Sequence, residues 1–147
     1  MNKTQTLESI QKAREAHEIQ MRKIKSLIDG EKVKDPTSVA KTKCTFGKWL
    51  YNEENKVQQI LGAHFYDKIE QTHAKWHIEY MRIFEIFFNN KKTGLLSKLL
   101  GSNKIDDMDI DRAKLYYMEL EATTVELLKA LRASERRIQA LAPSKFQ

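Results

Sequence analysis

The chain has 147 residues, 41% hydrophobic and 31% charged, which suits one soluble domain with a core of its own. Five glycines and two prolines, beside abundant Lys, Glu, Leu, Ile and Ala, point to an all-α protein. A single cysteine rules out an internal disulfide, and neither a signal peptide nor an apolar run near the ~20 residues of a membrane span is visible, so a reducing, cytoplasmic setting is expected.

The net charge is +6, but lysines alternate with acids along every predicted helix. That pattern is a solvated surface rather than a nucleic-acid footprint.

The first helix is predicted over about residues 4–29, because Leu7, Ile10, Arg14, His17, Met21, Ile24 and Ile28 recur in steps of three and four. His17 sits on this seam and should point inward. Gly30 follows and can close the helix in the left-handed conformation. Asp35-Pro36 reads as a cap and first turn of a second helix, carrying Val39, Ala40, Cys44, Trp49 and Leu50. Gly47 inside it costs about 1 kcal/mol relative to alanine, which close approach of the backbone to a neighbouring helix or to a bound metal would offset. A polar break at 52–56 and a short helical turn from Val57 to Leu61 follow.

The third long helix is predicted over about 63–89, with Phe65, Ile69, His73, Trp76, His77, Tyr80, Phe84, Ile86, Phe87 and Phe88 on it. The stretch from 91 to 109 is irregular, with one amphipathic turn at Leu95, Leu96, Leu99 and Leu100. The last helix, about 107–141, has the most regular seam, from Ile110 and Ala113 to Ile138 and Leu141, and Pro143 stops it. Long helices with short connections give a four-helix bundle with an extra short helical segment between the third and fourth long helices. The whole of 1–147 is expected to be a single domain.

His17, Cys44, His73 and His77 are three of the four histidines and the one cysteine of the chain. Each alone has a bland reading: a hydrogen-bonded core histidine, or an inert buried thiol. Together they are the donor set of a tetrahedral zinc ion. His73 and His77 stand one helical turn apart, within reach of a shared metal, and four protein ligands leave no open position for catalysis. His64 is the internal control. In a continuous helix it lies about 180° round and ~13 Å along the axis from His73, so it should not be a ligand. A hemerythrin-like di-iron bundle is a weaker alternative, since it needs about five histidines and bridging carboxylates.

Three segments carry a family resemblance. Ala16-His17-Glu18, Cys44-Thr45-Phe46-Gly47-Lys48-Trp49-Leu50 and His73-Ala74-Lys75-Trp76-His77 resemble the CZB domain, the chemoreceptor zinc-binding domain of bacteria. Its motif is a first-helix histidine, a Cys-x-[Leu/Phe]-Gly-Lys-Trp-Leu segment and His-x-x-x-His. The resemblance covers about residues 13–80. It implies a four-helix bundle, a bound zinc, sensing of zinc or oxidants, frequent dimers, and regulation of modules such as chemoreceptors or diguanylate cyclases. No such output module is present in this sequence.

No nucleophile–base pair, phosphate-cradling loop or catalytic carboxylate pair is visible, so no enzymatic activity is expected. A zinc sensor is the favoured reading, with Cys44 as the labile ligand. A bundle that zinc merely stabilises is the alternative. The apolar excess at Phe84, Phe87 and Phe88 and the last seam suggest a homodimer.

Overall fold

The computed structural model describes residues 1–88 and 105–146. Within them are three long helices, α1 (Lys3–Ile28), α4 (Ala63–Phe88) and α5 (Asp107–Ala140), and two short ones, α2 (Thr45–Leu50) and α3 (Val57–Leu61). No strand occurs among the described residues. The all-α expectation holds, and the ends of α1, α4 and α5 fall within a residue or so of the predicted ones.

The second long helix does not form. Residues 31–44 are turns and irregular backbone, and helix begins only after Cys44, for six residues. Asp35, expected as a helix cap, takes a left-handed φ of 55° instead. The 95–100 segment lies outside the described residues.

Two of the long helices have capped starts. Asn2 caps α1, its side chain accepting from the Gln5 N–H while Gln5 reaches back, a complete capping box. Gly30 closes the end with φ 87°, in the conformation expected of it. Asp106 caps α5 by accepting from the Asp109 N–H, and Asp107 and Asp109 add negative charge to its first turn.

α5 is the spine of the molecule and packs against both α1 and α4. Its direction opposes both. Lys3 Nζ donates to the carbonyls of Gln139 and Leu141 at 2.7 and 2.8 Å, Arg14 pairs with Glu135 at 3.2 Å, and the Tyr117 hydroxyl reaches the Met21 carbonyl. On the other side, Trp76 Nε1 donates to Thr124 Oγ1 at 2.8 Å and Arg82 meets Glu119 at 3.1 Å. α1 and α4 therefore run parallel to one another. The chain from 29 to 62 must return the full length of the bundle between them. That return, with α2 laid on α1 and α3 on α4 and α5, fills the side where a fourth long helix was expected.

The fully buried core contains Ile10, Ile24, Leu61, Ile69, Trp76, Tyr80, Ile83, Leu120, Leu127, Leu131 and Ile138. Each such side chain contributes roughly 1.5–3 kcal/mol by leaving water. His73 sits in the same set, with no exposed surface.

Candidate metal centre

The site lies between α1 and α4, roofed by the returning segment. α1 presents His17 and α4 presents His73 and His77, all three buried. One ring nitrogen of each lies within 4.8 Å of the others. Cys44 is not in that mutual set; its Sγ joins it through His73, 3.3 Å from Nε2. His73 Nε2 is also 3.1 Å from His77 Nε2. His64 is exposed and stacks edge-on against Phe65, well apart from the cluster, as its spacing required.

Two imidazoles are fixed by backbone carbonyls. His17 Nδ1–H donates to Ala13 O at 2.8 Å. His77 Nδ1–H donates to Val39 O at 2.9 Å. Both tautomers leave Nε2 unprotonated and facing inward, that of His77 against His73 Nε2, which is how metal-binding histidines are commonly oriented. His73 Nδ1 differs: it is buried without a hydrogen-bond partner.

Cys44 is placed by its own helix. It caps α2, and its Sγ accepts the Gly47 N–H at 3.2 Å while lying 3.4 Å from Lys41 O. Gly47 is required here: a Cβ on it would stand 1.7 Å from the Lys41 carbonyl oxygen. The close approach is to the turn that leads into Cys44, rather than to the neighbouring helix or metal expected.

Aromatic rings wall the site. Phe46 meets His73 at 4.8 Å and His17 at 5.6 Å between centroids, and Trp76 meets His77 at 5.0 Å and His17 at 5.1 Å. Trp76 is wholly buried, as expected of a core aromatic, whereas Trp49 is half-buried. On one side a cavity of about 170 Å³ reaches Cys44, His17 and His77 past Gln20, Thr37 and Lys43.

Burial sets the protonation states. It pushes His17 down to about 4, against the Ala13 carbonyl, which favours the charged ring. It pushes His73 down to about 2, with His17 and His77 adding repulsion, and it lowers His77 as well. All three rings are neutral near pH 7, the form that ligates metal. Burial raises the Cys44 thiol, opposed by the Gly47 N–H, so metal binding there must displace a proton.

The donor set fits zinc. A tetrahedral ion with N at about 2.05 Å and S at about 2.3 Å separates its ligands by about 3.3 Å (N to N) and about 3.6 Å (N to S). The His73–His77 and His73–Cys44 separations of 3.1 and 3.3 Å are edges of that size. Imidazoles and a thiolate are also the ligands zinc favours.

Residues 17–84 match the chemoreceptor zinc-binding domain, CZB. The matched stretch opens on His17, holds Cys44, His73 and His77, and stops before α5. No curated protein and no solved structure matches the chain. The CZB match and the His/Cys cluster agree on zinc as the metal.

Three side chains at the site were not anticipated. Glu70 accepts from Lys41 Nζ at 2.6 Å and from the Tyr51 hydroxyl at 2.9 Å. Glu70 precedes His73 by three residues and so shares its helix face, which is the signal that could have singled it out.

Proposed function

We propose that this chain is a zinc-dependent sensory module, with one zinc held by His17, Cys44, His73 and His77. The observation that carries this is the meeting of three neutral, buried imidazoles with a thiol at their edge, inside the segment that matches the CZB domain. Zinc supplies no open coordination position in such a set, so its roles are structural and regulatory. His17, His73 and His77 tie α1 to α4. Cys44 ties the returning segment to both.

The thiolate is the ligand that oxidants attack, and the cavity beside it gives small molecules a route. Release of Cys44 would free the returning segment while the three long helices persist, and a partner or attached signalling module would read that change. A lone thiol of this kind works in a reducing, cytoplasmic setting. No helix among the described residues is long and apolar enough to cross a membrane. We further propose that 1–147 acts as a single domain and pairs as a homodimer.

Elemental analysis of protein purified without added metal should return about one zinc per chain. H73A/H77A should lose it, and H64A should keep it. Zinc that survives H73A/H77A would sink the assignment.

A zinc-stabilised scaffold is the second reading, favoured by how fully the imidazoles are merged with the core. Zinc binding adds stability by mass action, about 2.7 kcal/mol at a hundredfold excess over Kd. Chelation that lowers thermal stability without altering the returning segment would favour the scaffold.

A further inference from the structure

We propose that Glu70 is a positioning residue for the metal centre: through Lys41 and Tyr51 it clamps the segment bearing Cys44 onto α4, and so sets whether the thiolate reaches the imidazoles. This rests on the zinc reading above. Glu70 Oε1 takes two donors, Lys41 Nζ at 2.6 Å and Tyr51 Oη at 2.9 Å. The donors bracket Cys44, one three residues before it and one seven after. Lys41 Nζ also stands 5.3 Å above the Tyr51 ring, so the three side chains close a ring around the turn.

Lys41 conveys the constraint to sulfur. Its carbonyl oxygen lies 3.4 Å from Cys44 Sγ and fills the space that a Gly47 side chain would need. The Lys41 peptide is thus wedged between the ligand and the helix that follows. A shift of Lys41 has to move Cys44.

The topology makes such a tie necessary. α2 packs on α1, whereas His73 and His77 belong to α4. Apart from the Cys44–His73 contact itself, the other hydrogen bonds of residues 31–44 to α4, Thr37 O to the Tyr80 hydroxyl and Val39 O to His77, lie five or more residues before Cys44. Outside the proposed ligands, Glu70 is the anchor whose donors stand closest to Cys44 along the chain.

The Lys41 and Glu70 side chains are 41% and 25% exposed, and ion pairs so placed add little to global stability. Their geometric effect is the larger one: losing a partner bonded directly to a metal ligand costs about 10–100-fold in affinity, and Glu70, one link further out, should act within that range at its lower end.

The test uses the full chain loaded with cobalt(II) and with zinc. E70Q keeps the shape but loses the charge that holds Lys41. It should weaken metal affinity about 10-fold, dim the thiolate-to-cobalt charge-transfer band relative to the ligand-field bands, and speed iodoacetamide alkylation of Cys44 in the zinc form. Y51F, a milder change that spares the ring, should shift the same readouts by less. K41M should match E70Q, and the double variant should be no worse than either single one. E119Q breaks the Arg82–Glu119 pair away from the site and should change none of these.

Wild-type affinity and band in E70Q would overturn the clamp, as would additive losses in the double variant or an equal loss in E119Q. A wild-type protein with no charge-transfer band would instead overturn the zinc–thiolate reading beneath it.

Discussion

Gly47 shows how much one hydrogen atom decides. Alanine there gains about 1 kcal/mol of helix propensity, but its methyl would stand 1.7 Å from the Lys41 carbonyl. Overpacking of that kind costs about 1–3 kcal/mol, so the clash wins and the turn must move. G47A should melt at a lower temperature than wild type and bind zinc more weakly, because the displaced turn carries Cys44. A G47A protein with unchanged zinc affinity would show that the turn and the ligand move independently.

The histidines give a second prediction at this scale. His17 is held at about 4 in the fold, against 6.5 ordinarily. The unfolded chain therefore takes up a proton as pH falls below about 6.5, and the folded chain does not until about pH 4. More protons on the unfolded state mean that stability falls with pH across that window, by up to about 1.4 kcal/mol per unit for each such histidine. His73 and His77 act with the same sign. Urea midpoints of chelator-treated protein should fall steadily from pH 7 to 5, and H17Q should flatten the slope. Equal midpoints at both pH values would mean that the rings are not neutral in the fold.

The sequence revealed the proposed ligands more readily than their supports. His17 stands out because it breaks an apolar seam, and Cys44 because it opens a specific motif. Glu70 looks like any helix-surface acid. Its importance lies in two donors from a stretch 19 and 29 residues earlier, which no helical period reports.

At the scale of elements, the long helices were legible and the returning segment was not. Seams of Ile, Leu and Ala are local signals, and they placed α1, α4 and α5 closely. Residues 36–44 also carry a local helix signal, the Asp35-Pro36 start, and tertiary demand overrides it. Thr37 O accepts from the Tyr80 hydroxyl, Val39 O from His77, and Lys41 O lies against Cys44. In a helix those carbonyls would be spent on N–H groups four residues on. The site needs them free, and Thr37, Ser38, Val39 and Thr42 are weak helix formers in any case.

Oxidation of Cys44 to sulfenic acid removes its thiolate from the metal and unfastens an element that has few internal hydrogen bonds. Hypochlorous acid should release zinc in step with Cys44 oxidation. Hydrogen exchange should then rise over residues 36–51 while α1, α4 and α5 stay protected. Zinc loss with no change in that stretch would make Cys44 a ligand but not a switch.

For the whole molecule, the proposed homodimer requires a face that a second copy can cover. Phe84 and Phe87, first suspects by their apolarity, are half-buried against the core, and of that group Phe88 is the exposed member, at 42%. A different surface is bare. Ile78 and Met81 on α4, and Leu115, Met118 and Val125 on α5, are 42–66% exposed. Successive positions on each helix are separated by three or seven residues, the repeat of a seam with no partner. The Arg82–Glu119 ion pair joins the two helices, and Ile78 and Leu115 each lie one turn from it, so both stripes border one face. Burying that face against its own copy would give a symmetric interface of four helices, with the zinc sites outside it. Sedimentation should therefore give a dimer of the 17.2 kDa chain at micromolar concentration. L115E/M118E places two like charges per copy on the seam and should yield a monomer that retains its zinc. A wild-type monomer, or a dimer indifferent to L115E/M118E, would show that this face does not pair the chains.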